Sequence, residues 1–545
     1  MRVRTSPAPA LVPLVLAGLV LFARSEIFAL ARKTTTPDDT AASPVSSDDG
    51  ACPAPADETF FPDVPDAIPF LGPDTRERFA FRHYDPGEIV AGRPMREWLR
   101  FSVAYWHAVA DRGADPFGAP TKRWPWDDEE AARACHVADS GADSDSGASK
   151  SAAEIAGNDL RMALAKRRMR ALFELMRKLG VDRWCFHDRD VAPIGATFDE
   201  TNANFEAMVD YAAELQAGTS IRPLWGTAQL FKEPHYAQGA ATSPDPSAFL
   251  KAAAQVKRAM DATLRLGGDA FNFWGGREGY QHLPTTDLAL ERRNYAAFLE
   301  AAARYWNAAT EKSLLYGGAE DKKKPLLIEP KPQEPTKHQY DWDVATTAGF
   351  LREFGLDRHF ALNVECNHAT LAGHSCAHET ALASAMGALG SLDANTGDPQ
   401  TGWDTDQFMT DHREAALALL PLVRDGRPLA VGVNFDAKLR RESTDVNDLV
   451  HAHVGGMDAF ARGLKTAARL AARGGALETL REERYAGWRG AEAEALDLGG
   501  GFSLERAAEE AARRWGGREN VGYFRDATLR SGRQELAENV VADAA

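Results

Sequence analysis

Carboxylates and a histidine stand at the ends of short apolar runs along this chain: Glu329 in LLIEPKP, Glu365 and His368 in LNVECNH, Asp393 in GSLDAN, Asp404 and Asp406 in GWDTDQ, and Asp436 in VNFDAK. Like charges do not gather in one pocket without a counterion. Hard oxygen donors with a single imidazole form the ligand set of one or two Mg²⁺- or Mn²⁺-type ions. Glu365 and His368 are spaced i, i+3, so a strand ending at Glu365 and a following turn can bring both to one ion. Asp404 and Asp406, spaced i, i+2, fall on one side of an extended loop. Taken singly, each carboxylate is an ordinary helix cap or loop ion pair. Their shared position at the ends of apolar runs points instead to metal-assisted chemistry on a small polar substrate.

A second group lies upstream in CFHDRD, where His187 and Asp190 follow an apolar run. A histidine there can move a proton on a substrate oxygen while the carboxylate fixes its tautomer, although a hydrogen-bonded structural histidine fits the same four residues. Lys331, two residues after Glu329, can face the same pocket and neutralise a developing alkoxide. Trp106, Phe117 and Trp225 are core candidates that would equally form a dry aromatic wall against a sugar's C–H face. FWGGREGY (Phe273 to Tyr280) lacks the lysine-serine ending of a phosphate-cradling loop, which argues against nucleotide binding.

The elements that must position these residues are eight apolar runs: LRFSVAYW, VDRWCFH, IRPLWGT, AFNFWGG, PLLIEP, FALNVE, GALGSLD and LAVGVNFD. Helix-compatible stretches separate most of them. In Asp159 to Leu179, Met162, Ala165, Met169, Leu172, Phe173, Met176 and Leu179 share one helical face, and Gly180 ends the pattern. Apolar strands alternating with helices predict a parallel sheet, and eight such units predict a (β/α)₈ barrel over residues 79–440. The chemically capable residues fall at the C-terminal ends of the strands, where such barrels place their active sites.

Composition limits the alternatives. With 63 Lys and Arg against 79 Asp and Glu, the formal charge is −16, which argues against a nucleic-acid partner, since such binding needs a basic face. The five cysteines (Cys52, Cys135, Cys185, Cys366, Cys376) show no disulfide framework, and Cys185 and Cys366 read as small core residues inside apolar runs. Arg2 and Arg4 precede the apolar stretch Ala10 to Ala23, so residues 1–32 read as a leader into the secretory pathway, with organelle targeting or a retained anchor as alternatives. Membrane contact is expected only through that leader. Residues 33–78, low in complexity from Lys33 to Pro65, read as a disordered acidic linker, and 138–151 as an inserted loop. The alanine- and charge-rich residues 441–545 read as a helical tail for subunit contacts.

The segments FRHYDPGE, YWHAVADRGADPFG, CFHDRDVAP, WGTAQLF, NFWGGREGY, IEPKPQEPTKHQYDWD, LNVECNHATLAGH, SLDANTGD, GWDTDQF and GVNFDAK together closely resemble xylose isomerases of the longer-chain class, from about Phe79 to Gly487. The resemblance implies a tetrameric (β/α)₈ enzyme with two Mg²⁺ or Mn²⁺ ions. It implies interconversion of D-xylose and D-xylulose, and more weakly of D-glucose and D-fructose, by ring opening and a metal-mediated hydride shift. By position, one ion falls to Glu329, Glu365, Asp393 and Asp436, and the other to Glu365, His368, Asp404 and Asp406. His187 with Asp190 would assist ring opening, Lys331 would bind the carbonyl end of the open sugar, and Phe117 would enter a neighbouring subunit's pocket. Three other readings compete: a related divalent-metal sugar isomerase or epimerase, a non-catalytic sugar-binding relative, and a zinc-dependent barrel cleaving phosphodiesters. The last wants more histidines and a basic groove.

Overall fold

The computed structural model describes residues 58–115, 118, 120–139, 157–315, 324–439, 443, 445–498, 500–517 and 534–545. The leader, nearly all of the 138–151 insertion and Phe117 lie outside them.

Each of the eight apolar runs contains one strand of a closed, all-parallel barrel. The strands are β1 (Phe101–Ala104), β2 (Arg183–His187), β3 (Arg222–Thr227), β4 (Ala270–Trp274), β5 (Leu326–Glu329), β6 (Phe360–Glu365), β7 (Leu389–Asp393) and β8 (Val433–Phe435). Neighbours in sequence are neighbours in space, and β8 closes on β1 with Val433 opposite Phe101 and Phe435 opposite Val103. The crossovers are helical: α1 (Asn158–Leu179), α2 (Phe198–Gln216), α3 (Pro246–Arg265), α4 (Leu288–Leu315), α5 (Val344–Glu353), α6 (Cys376–Ala385) and α7 (His412–Asp425). Helix α1 ends where periodicity predicts, at Gly180, whose φ of 68° a Cβ-bearing residue rarely adopts.

Two layers of apolar packing follow from this closure. The main core lies between the strands and the helices, with Phe186, Phe271 and Phe435 among its fully buried side chains. A smaller cluster, Cys185, Leu224, Trp225, Ala270, Leu327 and Val431, fills the barrel interior. The strand ends above it are left for polar residues.

Three expectations need correction. The barrel does not end at residue 440: α8 (Val446–Leu470) lies against α7 and covers Phe435. Its small residues permit that fit, since a Cβ on Gly463 would sit 2.8 Å from Ala415 Cβ and 2.9 Å from Ala416 N. The same alanine-rich composition had suggested a tail. Nor is the 33–78 segment a disordered linker throughout: residues 33–57 lie outside the described residues, but 58–78 pack on the barrel. Phe60 and Phe61 are buried against Trp126, and the Glu174 carboxylate accepts from Thr59 Oγ1 (2.6 Å) and the Phe60 amide (2.7 Å). Two aromatic side chains supply the burial that the polar remainder lacks. Finally, Cys366 is joined to Cys376 by a disulfide between the first residue of a short helix (Cys366–Leu371) and the first residue of α6. Cys185 is a free core cysteine, as expected.

Beyond α8 come α9 (Ala476–Arg484), α10 (Ala491–Leu496), α11 (Leu504–Trp515) and α12 (Gln534–Ala544). Helix α12 returns to its own barrel, burying Val541, while Arg462 donates to the Ala545 carbonyl. Among the described residues no helix is long and apolar enough to cross a membrane.

Phe61→Ala should lower stability by about 3–5 kcal/mol, the usual range for truncating a buried aromatic ring. Exposed Leu71→Ala should change it little. Urea unfolding checks both, and equal small effects would return this segment to linker status.

Candidate metal and active site

The C-terminal mouth of the barrel is a cavity of about 640 Å³, and nearly every strand delivers a polar or aromatic residue to it. Strand β5 ends at Glu329, β6 at Glu365 and β7 at Asp393, while Asp436 follows β8 directly. Glu365 is also the N-cap residue of the short helix Cys366–Leu371, which places His368 one turn on, its Nδ1 3.2 Å from Glu365 Oε2. Asp404 and Asp406 arrive on the loop after β7, which folds back through pairing of Asn395 with Phe408 and Thr396 with Gln407. Asp406 sits at φ 46°, a left-handed conformation that non-glycine residues hold only where their surroundings fix them.

Two carboxylate groups result. In one, single oxygens of Glu329, Glu365, Asp393 and Asp436 all lie within 4.8 Å of one another; in the other, those of Glu365, Asp404 and Asp406 do. Each like-charge pair at that spacing costs roughly 3–4 kcal/mol at an effective dielectric near 20. Several such pairs together are untenable when fully ionised. Burial, and then the neighbouring carboxylates, accordingly push Glu365 and Asp393 well above the usual carboxylate range, and burial raises Glu329. Asp404 moves the other way: burial opposes ionisation, but Lys331 and His368 outweigh it and hold it well below the ordinary range. Lys331 Nζ donates to Asp404 Oδ2 at 2.8 Å and lies 3.3 Å from Glu334.

Neutral amides orient these acids. Asn272 and Asn363 both donate to Glu329 Oε2, at 2.7 and 3.0 Å, and Asn363 also donates to Asp393 Oδ2 at 2.7 Å. Asn395 donates to Glu365 Oε1 at 2.7 Å. In Glu329, Glu365 and Asp393 one oxygen is thus held by an amide. Asp393 Oδ1 is buried without a hydrogen-bond partner, and His368 Nδ1 faces Glu365 Oε2 at 3.2 Å and Glu329 Oε1 at 3.7 Å. That pattern fits divalent cations: oxygen-rich donors, one imidazole, and orphaned lone pairs converging on a common gap.

On the opposite wall His187 ends β2, and the turn Asp188–Val191 brings Asp190 Oδ2 to 3.0 Å from His187 Nδ1. Gln229 and Lys232 hold the other Asp190 oxygen at 2.8 and 3.1 Å. Burial disfavours the Asp190 charge, yet Lys232 and His187 more than offset it and keep the carboxyl far below its ordinary value. With Nδ1 turned to Asp190, Nε2 is left for the cavity. Trp106 packs 4.4 Å from the His187 ring and 5.6 Å from Trp225, centroid to centroid.

No family model matches the chain. A xylose isomerase of Arabidopsis thaliana is 46% identical over 516 residues, spanning 92% of this chain and 97% of the relative. One from Hordeum vulgare is 48% identical over 481 residues, 88% of this chain and 89% of the relative. The chain belongs to the xylose isomerase family. A bacterial member of that family, from Dinoroseobacter shibae, is 47% identical over 441 residues, 81% of this chain and 92% of its own. Among solved structures, a D-allulose 3-epimerase from Methylomonas sp. in complex with D-allulose aligns at TM-score 0.38 and 15% identity, covering 53% of this chain and 89% of that one.

Every family position expected from the sequence converges on this one mouth, except Phe117, which lies outside the described residues. Sequence reasoning missed three sets of contributors. His107, in a π-helical turn after β1, has Nε2 2.7 Å from Asp436 and 3.4 Å from Asp406. Burial lowers its basicity, but Asp436 and Asp406 raise it to about 8. Its only sequence signal was adjacency to Trp106. Trp274 and Phe231 also line the cavity. The amide donors Asn272, Asn363 and Asn395 left no separate signal.

Because burial and neighbouring carboxylates raise Glu329, Glu365 and Asp393, a cation entering among them competes with protons. Cation affinity should therefore rise with pH. Calorimetry in buffers of different ionisation enthalpy should show net proton release, and buffer-independent heats would contradict these shifts.

Proposed function

We propose that this chain interconverts D-xylose and D-xylulose, with D-glucose and D-fructose as slower substrates, using two divalent cations of the Mg²⁺ or Mn²⁺ type. The observation that carries this reading is the convergence on one cavity of the two carboxylate groups, the His187–Asp190 pair and Lys331, in a chain nearly half identical to named xylose isomerases. Glu329, Glu365, Asp393 and Asp436 would hold one ion; Glu365, His368, Asp404 and Asp406 would hold the other. When bound, the pair supplies Lewis-acid polarisation of adjacent sugar oxygens.

The chain's own residues account for the rest. An aldose must open before its hydrogen can move between C2 and C1. His187, with Nδ1 held by Asp190, exchanges a proton through Nε2 between the ring oxygen and the anomeric hydroxyl. Lys331 holds its proton firmly, because Asp404 and Glu334 outweigh the cost of its burial. It serves as a fixed donor to O1 of the open chain rather than as a base. Trp106, Trp225, Trp274 and Phe231 cover the C–H face of the sugar and keep water from the transferring hydrogen.

A ketose assay on D-xylose tests this directly. EDTA should abolish D-xylulose formation and Mg²⁺ or Mn²⁺ should restore it. Asp404→Ala and His368→Ala should each lose at least about 10²–10³-fold in turnover while circular dichroism stays native. Undiminished turnover in EDTA would reject the reading.

His187→Asn should slow ring opening selectively. With C2-deuterated xylose, the isotope effect on turnover should shrink toward unity as hydrogen transfer ceases to limit the rate. An isotope effect equal to wild type would reject the ring-opening role.

The proposal extends to a homotetramer. The helices after α8 leave Trp488, Phe502, Leu504 and Trp515 about half or more exposed, apolar surface suited to subunit contact. Sedimentation should give four times the chain mass, and a monomer would refute it. Entry into the secretory pathway through residues 1–32 rests on the Arg2, Arg4 and Ala10–Ala23 pattern. Amino-terminal sequencing of the mature protein from its cell of origin would test it; an intact, uncleaved terminus on soluble cytosolic protein would count against it.

A further inference from the structure

A second group of metal-capable side chains lies outside the sugar cavity. His374, in the turn after the Cys366–Leu371 helix, and His378 and Glu379, in the first turn of α6, each offer a ligand atom, all within 4.8 Å of one another. His374 Nδ1 is 3.7 Å and His378 Nε2 3.8 Å from the same oxygen, Glu379 Oε1. The two imidazoles lie nearly parallel, centroids 4.6 Å apart.

Glu379 makes this more than a surface pair. It is 3% exposed, and its two oxygens are used differently. Oε2 accepts the Val344 amide at 2.8 Å, while Oε1 is buried with no hydrogen-bond partner and faces both histidines. Burial raises this carboxyl above its ordinary range, so an ionised Glu379 needs a cation close to Oε1. The remaining nitrogen of His374, Nε2, lies 3.6 Å from Asp343 Oδ2. A carboxylate behind the far nitrogen of a ligating imidazole is the usual arrangement by which the ring is oriented and its basicity raised. The backbone is fixed on both sides: the His374 amide donates to the Ala369 carbonyl at 2.9 Å, and the His378 amide to Ser375 Oγ at 3.1 Å.

We infer that His374 Nδ1, His378 Nε2 and Glu379 Oε1 form a separate binding site for one borderline transition-metal cation, of the Zn²⁺, Co²⁺ or Ni²⁺ class, with Asp343 supporting His374. Two imidazoles select such ions over Mg²⁺ and Ca²⁺, which prefer all-oxygen sets. Donor separations of 3.7 and 3.8 Å suit bonds of about 2.0–2.2 Å to one ion after small rotations. His374 is partly exposed and His378 exposed, so water completes the coordination. An ion here ties Asp343, the N-cap of α5, to the start of α6. It thereby braces the turn that follows the helix carrying His368. The site is distinct from the acidic mouth, and its existence does not depend on the sugar chemistry.

Crystals of the full-length protein, kept in saturating Mg²⁺ and soaked in Zn²⁺, test the assignment by anomalous scattering at the zinc edge. A peak within about 2.0–2.2 Å of His374 Nδ1, His378 Nε2 and Glu379 Oε1 is expected. In solution, His374→Asn/His378→Asn should bind one fewer Zn²⁺ per chain than wild type while keeping its Mg²⁺-supported turnover. Asp343→Asn, which keeps an N-capping side chain, should weaken that Zn²⁺ about 10–100-fold without removing a ligand. Zinc density confined to the acidic mouth, or the same Zn²⁺ count and affinity in wild type, the double variant and Asp343→Asn, would overturn the inference. The Asp343→Asn arm decides the matter even if the double variant fails to fold.

Discussion

Mutual repulsion among buried carboxylates is the constraint around which this molecule is arranged. Glu329, Glu365 and Asp393 end successive strands and Asp436 follows the next, and the backbone ladder between those strands sets their spacing. The carboxyl groups cannot move apart without opening the barrel. Protons or cations can offset the repulsion, and burial with the neighbouring carboxylates pushes Glu365 and Asp393 upward, toward proton uptake. The barrel thus spends folding stability to keep an acidic mouth assembled, the usual compromise between stability and function at a preorganised site.

Neutral asparagines make that compromise workable. A lysine or arginine under each carboxylate would neutralise it and remove the drive to bind cations. An amide donates one hydrogen bond without adding charge, so Asn272, Asn363 and Asn395 fix rotamers and leave the facing oxygens electron-rich. Positive charge enters at the periphery: Lys331 at Asp404, Lys438 at Asp406 at 3.0 Å, and His107 at Asp436. The aromatic wall of Trp106 and Trp225 closes the side where a sugar's carbons would lie.

Much of this was legible in the sequence because barrel strands buried on both faces read as continuous apolar runs. A charged residue ending such a run therefore stands out. Glu329, Glu365, Asp393 and Asp436 were found that way. Asn363 and Asn395 were not, because a buried asparagine near a strand end looks like any other polar punctuation until its partner is known. His107 was hidden by a π-helical turn that no local pattern announces. Helix α8 reads as tail in the sequence because alanine and glycine, which let it lie close on α7, carry little hydropathy signal. Phe60 and Phe61 were lost among polar neighbours for the opposite reason: two buried rings hold a segment whose average composition predicts disorder. The Cys366–Cys376 bridge joins residues that begin different helices, a proximity created only by the turn between them.

Glu365 belongs to both carboxylate groups, so calorimetric counting of Mg²⁺ on Glu365→Gln and Asp404→Asn separates a shared ligand from an unshared one. Two Mg²⁺ should bind per wild-type chain, both tight sites should be lost in Glu365→Gln, and only one should be lost in Asp404→Asn. Two intact tight sites in Glu365→Gln would contradict the shared ligand.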